Sequence, residues 1–350
     1  MSKKKISSDL VVTCLATVIM IALNSSVILA QEPPGYHLLK KIVIGGEGFW
    51  DYLTLDVQTH RLYIAHSTVV EVLNVDTGVK EEPITNLNGV HGVALAPDLG
   101  RGFISNGRSA TVSIFDLKTG KISGEVPTGK NPDAITYDEP THRVFAFNAG
   151  SDSSTVIDAS SGKVVGTVHL GGGPEFSVPD GKGMIFVNLE DKSEIVGFDA
   201  RTLEIKHRWP LAPGEGPSGL AIDLKNRRLF SVCGNKQLVV MDADSGKVIA
   251  SLPIGGGVDA VRFDPSTGLV FSSNGEGTLT VIHQDTPDKY RVQETVVTPR
   301  GARTLELDPK THRVFLATAE FGPSPAATKE KPRPRPTIVP GTFMILEFGE

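Results

Sequence analysis

Hydrophobic positions alternate or cluster in four short runs within residues 129–169. Val, Ile, Phe and Thr dominate the runs, and Asp, Pro, Asn and Gly separate them, which is typical of strands joined by tight turns. The runs are Ala134–Tyr137, Arg143–Phe147, Ser154–Ile157 and Lys163–His169. This pattern predicts a four-stranded antiparallel meander. One meander cannot bury both of its faces alone, so it needs similar units beside it.

The same pattern recurs seven times along the chain. Each repeat opens with a run related to NPDAITYD, and the fourth opening aligns only with a one-residue gap after Phe176. The openings are FWDYLTLD (49–56), GVHGVALAP (89–97), NPDAITYDEP (131–140), GPEFSVPDG (173–181), GPSGLAIDL (216–224), GVDAVRFDP (257–265) and GARTLELDP (301–309). Repeats of this length with four strands each predict an all-β, seven-bladed β-propeller of four-stranded antiparallel blades.

The two ends of the chain complement each other. The seventh repeat has only three runs of its own, Arg303–Leu307, Arg313–Ala317 and Thr342–Phe348, whereas Leu38–Ile44 precedes the first repeat. We predict that this N-terminal strand closes the last blade, because closure removes an exposed strand edge. Residues 321–341 contain six prolines and predict a proline-rich surface loop inserted in blade seven.

The N-terminal 30 residues predict export. Lys3, Lys4 and Lys5 precede an apolar stretch from Leu10 to Leu23, as in a secretory signal peptide. An uncleaved membrane anchor is the alternative, because Ile28 stands where a small residue is expected before a cut at Ala30. We expect a signal peptide (1–30), a linker (31–35) and the propeller (36–350). The expected location is periplasmic or secreted, with no membrane span after cleavage.

Charge and cysteine content narrow the partners. The formal net charge is −5, and it becomes −7 without residues 1–30, which carry three Lys and one Asp. Outside the signal segment and the short stretch Lys329–Arg335, the chain has no basic tract. Tight, non-specific binding to nucleic acid requires clustered Lys and Arg, so this charge balance disfavours it. Cys233 is the only cysteine after residue 30, so no internal disulfide is expected.

The start of the first strand of each blade is the candidate site. In a propeller this strand lies nearest the axis, so residues at its start line the mouth of the central channel. The aligned positions are Asp51, His91, Asp133, Glu175, Ser218, Asp259 and Arg303. We predict these residues as ligand-binding, with Trp50 as an aromatic wall beside Asp51.

Four of the seven aligned positions are carboxylates, which repel each other unless water, Arg303 or a cation intervenes. Oxygen ligands suit Ca²⁺ or Mg²⁺, and a histidine favours Zn²⁺ or another transition metal. A water-filled polar channel is the favoured interpretation, a bound divalent cation is the alternative, and the sequence indicates no other cofactor. The predicted metal ligands are Asp51, His91, Asp133, Glu175 and Asp259.

A second set of aligned positions ends the second strand of each blade. Its members are His66, Asn106, Asn148, Asn188, Cys233, Asn274 and Thr318. Asparagine is common in turns, so turn capping is the favoured interpretation. The alternative is that His66 and some of the asparagines border the ligand pocket. Cys233 has no activating partner in the sequence, and the sequence identifies no catalytic residue.

Two longer segments carry a family resemblance. IDASSGKVVGTVHLGGGPEF (157–176) and VMDADSGKVIASLPIGGGVDAVRFDP (240–265) resemble the YVTN-repeat family of seven-bladed β-propellers, and PEFSVPDGKGMIFVNLEDKSEIVGFD (174–199) resembles its exported bacterial members. The resemblance implies an extracytoplasmic protein. Members are associated with surface layers, with ligand or nucleic-acid binding and with accessory roles beside metal or redox systems, and no shared catalytic motif comes with the family.

Three function classes follow from these patterns. We favour an exported binding or scaffold protein that presents a site for a small molecule or a protein partner at the channel mouth, and we expect a monomer. A metal-assisted hydrolase or lyase at the central channel is the first alternative, and it leaves open whether the chain is an enzyme. A single-stranded nucleic-acid binder is the second alternative, which the acidic charge disfavours.

Overall fold

The computed structural model describes residues 35–325 and 336–350. The predicted signal peptide and residues 31–34 of the linker lie outside the described residues, as does the middle of the proline-rich loop. The described chain forms seven sheets arranged as blades. None of its helices is long and apolar enough to cross a membrane.

Each blade is an antiparallel meander in chain order, and the repeats of the sequence correspond to the blades. The N-terminal strand is β1 (His37–Val43). Blade one contains β2 (Trp50–Asp56), β3 (Arg61–His66) and β4 (Val69–Asn74). Blade two contains β5 (Val90–Ala96), β6 (Arg101–Asn106), β7 (Thr111–Asp116) and β8 (Ile122–Pro127). Blade three contains β9 (Pro132–Asp138), β10 (Arg143–Asn148), β11 (Ser153–Asp158) and β12 (Lys163–His169).

Blades four to seven follow the same order. Blade four contains β13 (Pro174–Pro179), β14 (Met184–Leu189), β15 (Glu194–Asp199) and β16 (Ile205–Pro210), and blade five contains β17 (Pro217–Asp223), β18 (Arg228–Cys233), β19 (Gln237–Asp242) and β20 (Val248–Pro253). Blade six contains β21 (Val258–Asp264), β22 (Leu269–Asn274), β23 (Thr278–Thr286) and β24 (Lys289–Val297). Blade seven contains β25 (Thr304–Leu307), β26 (Val314–Thr318) and β27 (Met344–Gly349). Short 3-10 helices span Pro97–Leu99, Glu139–Thr141 and Glu190–Lys192.

The fourth position of blade one is irregular. Segment 79–84 runs beside β4 and pairs with it through backbone bonds, including Ile84 N–H to the Val70 carbonyl at 2.9 Å and Glu81 N–H to the Val72 carbonyl at 2.8 Å. The register changes by one residue between the Val70–Ile84 and Leu73–Lys80 bridges, so the pairing consists of isolated bridges and forms no continuous strand. Blade one therefore keeps four antiparallel members.

The blades are held together by apolar layers between neighbouring sheets. Second and third strands are buried almost throughout, whereas outer strands such as β8 and β12 are mostly exposed. Phe145 of blade three meets Phe198 of blade four edge-on, with ring centroids 5.4 Å apart. This layering explains why one repeat alone could not fold: its large side chains are covered by the next blade.

The N-terminal strand closes blade seven, as predicted from the chain ends. β1 pairs antiparallel with β27, so the sheet order is β1-β27-β26-β25. Tyr36 precedes β1, is buried beside Phe271 of blade six, and donates its hydroxyl to the His312 carbonyl at 2.8 Å. Closure thus uses both backbone pairing and a buried aromatic anchor.

The described ends of the proline-rich loop are joined to each other between β26 and β27. Gly322 N–H donates to the Thr337 carbonyl at 2.8 Å, and Val339 N–H donates to the Glu320 carbonyl at 2.9 Å. Phe321, at the base of the loop, packs against Trp50 of blade one with ring centroids 6.1 Å apart. The loop base therefore lies on the same face of the propeller as the start of β2.

Candidate functional site

A polar ring surrounds the propeller axis at the face where the first strands begin. Its members are the residues aligned from the sequence: Asp51, His91, Asp133, Glu175, Ser218, Asp259 and Arg303. Six are the second residue of a first strand, and Arg303 directly precedes β25. In six blades the pairing of the first strand with the second shifts register at this point. Such bulges redirect side chains. The members of the axial ring are half-buried, apart from Asp259, which is buried.

His91 joins two carboxylates of the axial ring. Its Nδ1 lies 2.6 Å from an Asp51 oxygen and 3.4 Å from an Asp133 oxygen. Burial works against the charged imidazole, but the hydrogen bond to Asp51 and the charges of Asp133 and Asp51 outweigh it, so the pKa of His91 is raised. One ligand atom from each of these three residues lies within 4.8 Å of the others, a spacing that could hold a metal ion.

Arg303 is the second cation of the axial ring. Its guanidinium bonds to Asp259, lies 3.6 Å from an Asp51 oxygen and donates to the Trp50 carbonyl at 3.3 Å. Burial opposes this charge, and the aspartates Asp259 and Asp51 more than compensate, so the pKa of Arg303 is raised. Arg303 thereby connects blades seven, six and one across the mouth.

The remaining acids are held partly protonated by their surroundings. Burial and, after it, the charges of Asp133 and Asp259 raise the pKa of Glu175 to about 9, so Glu175 is neutral near pH 7. Burial also raises the pKa values of Asp133 and Asp259, with the charge of Asp51 adding to the effect. Protons, His91 and Arg303 together relieve most of the repulsion that the sequence implied.

An aromatic pair closes the channel beneath the axial ring. Tyr52 of blade one and Phe176 of blade four meet edge-on with centroids 4.9 Å apart, although their blades lie on opposite sides of the axis. The Arg262 guanidinium lies 4.9 Å from the Phe176 ring centroid and forms a bidentate pair with Glu306, at 2.8 and 3.1 Å. The axial ring therefore forms the rim of a shallow bowl, and Tyr52 and Phe176 form its floor.

The second aligned set lies outside this bowl. His66 is buried against Phe343, with ring centroids 4.3 Å apart, so the structure does not bring it to the axial ring. Asn106, Asn148 and Asn274 donate across their hairpins to hydroxyls of the third strand, at 2.9–3.0 Å. These asparagines stabilise hairpins, close to the predicted turn-capping role. Burial raises the pKa of the Cys233 thiol, which disfavours the reactive thiolate.

A cavity of about 560 Å³ opens beside the axial ring, above blades six, seven and one. We call it the mouth cavity. Of the predicted site residues, Trp50 and Arg303 line it. Its other lining residues are Phe49, Gly256, Gly257, Gly275, Glu276, Arg300, Gly301, Phe321 and Pro336. Trp50 is only 6 % exposed and stacks on Phe343, with centroids 5.2 Å apart, so it forms a fixed wall.

Sequence reasoning missed most of this lining. Arg300 lies in the connection between β24 and β25, where the equivalent residues of the other repeats differ in type, and Phe321 follows β26 at the start of the loop inserted in blade seven. Phe49 precedes Trp50 in the first opening and is not one of the aligned positions. A signal was present at Gly301 and Gly257, since glycine precedes the first strand where the backbone has positive φ, +88° and +67°.

The comparisons with known proteins identify the fold and no family. No family model and no curated protein matches the chain. Its structure is similar to Kuenenia stuttgartiensis hydrazine synthase, with a TM-score of 0.66 and 17% identity, covering 79% of this chain and 94% of that one. It is also similar to a chain of the mitotic checkpoint complex, with a TM-score of 0.70 and 13% identity, covering 90% of each chain. With the seven sheets above, these similarities identify the chain as a seven-bladed β-propeller.

Proposed function

We propose that this chain is an exported binding protein of the YVTN-repeat type that holds a small molecule at the mouth of its propeller channel. The repeat sequences support the family, and the basic and apolar N-terminal segment supports export. Propellers of many families use one face to bind partners, so the fold is compatible with this role but does not determine the ligand.

The mouth cavity is the observation that carries the proposal. Its volume of about 560 Å³ lies within the range typical of small-molecule sites. Aromatic walls from Phe49, Trp50 and Phe321 supply apolar contact, and Arg300 and Arg303 supply a few polar groups. Few, fixed polar groups in a mostly apolar concavity are what orient a bound ligand.

The residues around the cavity also indicate ligand binding rather than packing of the protein core. Phe49 is 58 % exposed although it is a large aromatic residue next to the buried Trp50. Arg303 belongs to the cavity and to the axial ring, so a ligand there would contact the network of Asp259 and Asp51 directly. An exposed aromatic beside a preorganised charge network is typical of a recognition site.

A thermal-shift screen with a chemically diverse panel of small molecules tests this proposal. We expect compounds that raise the melting temperature of the parent protein by mass action, and we expect Phe49→Ala to remove most of that shift. Val79→Ala, which shortens another exposed apolar side chain (60 % exposed) of the first repeat, is the matched control and should leave the shift intact. A panel without a single stabilising compound, or shifts that survive Phe49→Ala, would contradict a binding role at the mouth cavity.

A metal-assisted hydrolase or lyase is the second candidate. It is favoured by one observation, the approach of Asp51, His91 and Asp133 to within 4.8 Å of one another. A cation there would have to displace the proton that His91 holds between the two aspartates, so binding would strengthen as pH rises. Elemental analysis of the purified protein distinguishes this candidate, because a stoichiometric transition metal would support it.

A further inference from the structure

We propose that the ligand of the mouth cavity is a planar, ring-bearing carboxylate, with Arg300 as the residue that binds its negative charge. This inference rests on the proposed binding function and adds the chemical class of the ligand. It follows from three properties of the lining: one cation without a partner, a wall of aromatic rings and a floor of bare backbone.

Charge is the first property. Arg300 is exposed at the rim of the cavity, and within the described part of the chain its guanidinium forms no ion pair. The other lining cation, Arg303, is already committed to Asp259 and the Trp50 carbonyl. The lining acid, Glu276, pairs with Lys236 at 3.0 Å. Among the described lining residues, the charge without a partner is therefore positive. A guanidinium is well suited to a carboxylate because it can donate two parallel hydrogen bonds.

The aromatic wall is the second property. Trp50 is held between Phe343 and Phe321, with centroids at 5.2 and 6.1 Å. Phe321 in turn lies over Gly301, where an added Cβ would stand 2.5 Å from the Phe321 ring. The wall is thus rigid before any ligand binds, and it offers ring faces or edges to a ligand ring.

The floor is the third property. Four of the eleven lining residues are glycines, from the connections before β21 and β25 and from the β22–β23 hairpin. A Cβ on Gly275 would lie 2.8 Å from the Gly257 carbonyl oxygen, so these backbone segments approach as closely as glycine allows. The N–H groups of Gly275, Glu276 and Gly301 already donate to backbone carbonyls of the same floor, at 2.8–3.0 Å. The floor is therefore free of side chains and its donors are occupied, which suits the flat face of a planar ligand.

The same lining disfavours other ligand classes. A sugar requires several side-chain donors and acceptors around it, whereas Arg300, Arg303 and Glu276 are the only polar side chains among the described lining residues. A metal ion requires several oxygen or nitrogen ligands, and within residues 35–325 and 336–350 only Glu276 brings such a side chain to the lining. A neutral aromatic compound would leave Arg300 without a partner.

Isothermal titration calorimetry with three matched probes tests the ligand class. The probes are 2-naphthoate, its neutral amide 2-naphthamide, and decahydro-2-naphthoate, which keeps the charge and loses the plane. We expect the parent protein to bind 2-naphthoate at least about tenfold more tightly than either other probe, because only it satisfies both the charge and the wall. Similar affinity for all three probes would overturn the inference.

Two arginine variants distinguish a local contact with Arg300 from a general effect of the protein's charge on ligand binding. Arg300→Gln should weaken 2-naphthoate binding by about tenfold and remove the preference over the amide. Arg108→Gln is the control, since Arg108 is exposed on the same face, in the β6–β7 hairpin, and does not line the cavity. It should leave both affinities unchanged. Unaltered binding to Arg300→Gln would overturn the assignment of the charge contact.

The outcome also separates this inference from the proposed function. If the diverse panel yields stabilising compounds that depend on Phe49 but carry no carboxylate, the mouth cavity is a ligand site and the proposed ligand class is wrong. If nothing binds to the cavity at all, the proposed function itself fails, and the ligand class fails with it.

Discussion

At the scale of single residues, the axial ring is arranged around two cations. His91 bridges Asp51 and Asp133, and Arg303 bridges Asp259 and Asp51. Glu175 lacks such a bridge, and burial with the neighbouring carboxylates keeps it protonated. The ring therefore depends on pH, and Glu175 is where that dependence should be largest.

Glu175→Gln should stabilise the protein increasingly as pH rises. The pKa of Glu175 is about 9 in the folded protein, above its usual range, so the folded state binds more protons than the unfolded state between about pH 5 and pH 9. The parent loses stability over that range, and glutamine, which carries no proton to lose, does not. We expect the stability difference to grow by about 1 kcal/mol per pH unit there.

Denaturant unfolding at several pH values measures this difference. Glu276→Gln is a suitable control, because Glu276 lies on the same face but pairs with Lys236, which holds the pKa of Glu276 below its usual range. A difference between Glu175→Gln and the parent that stays constant from pH 5 to pH 9 would show that Glu175 is ionised throughout.

The double variant Asp133→Asn with Asp259→Asn tests the cation hypothesis. It removes two carboxylates whose pKa values are raised by burial, while His91 and Arg303 both keep Asp51 as a partner, so the fold should be unchanged or more stable. Any divalent cation bound by the parent should bind at least about tenfold more weakly to the variant. Calorimetry with Ca²⁺, Mg²⁺ and Zn²⁺ measures these affinities. Equal binding to the parent and the variant would show that the cation binds outside the axial ring.

The sequence predicted the axial ring because its members occupy the same position in every repeat. Glu175, whose alignment needed a gap, takes its place in β13 like the others. Arg300 and Phe321 were beyond this reasoning, since a cavity formed by non-repeating residues leaves no periodic signal. His66 illustrates the converse, because equal repeat position did not imply a place at the channel mouth: Phe343 covers it.

At the scale of elements, closure of blade seven is the feature on which the ring of blades depends. β1 supplies the outer strand, and Tyr36, Ile42 and Ile44 bury their side chains against blades six, seven and one. The sequence predicted this arrangement from a missing strand at one end and a spare strand at the other. It did not predict the irregular outer segment of blade one, which pairs with β4 only through isolated bridges, whereas the other six blades have a continuous outer strand.

Deleting residues 36–44 should expose the edge of β27 and uncover the apolar layers beside it. We expect a melting temperature at least about 10 °C lower, because three buried side chains and the outer strand of the blade are lost. We also expect concentration-dependent aggregation, because the edge of β27 is then exposed. Differential scanning calorimetry and light scattering measure both effects. Deletion of residues 31–35 is the control, and equal melting of the 36–44 deletion and the parent would contradict closure by β1.

At the scale of the whole molecule, the fold was predictable because every repeat carries the same pattern of strands and turns. The function was less accessible, because neighbours of 13–17% identity share only the architecture. The N-terminal segment supports the proposed export. The mouth cavity supports the proposed binding of a small anion with a ring, although the protein as a whole carries net negative charge.

Export makes a prediction about the mature protein. Cleavage after Ala30 should leave Gln31 as the first residue of a product outside the cytoplasm. N-terminal sequencing of the protein isolated from a bacterial host tests this directly. A membrane-bound product that retains residues 1–30 would support the uncleaved anchor instead.

The central claim is that the mouth cavity holds the ligand. The most direct measurement is a crystal structure of the protein soaked with the compound that gives the largest thermal shift. The account predicts density for that compound among Phe49, Arg300 and Phe321, with its carboxylate within hydrogen-bonding distance of the Arg300 guanidinium. Density on the opposite face, such as beside Tyr137 and Asp98 where another cavity lies, with an empty mouth cavity, would contradict it.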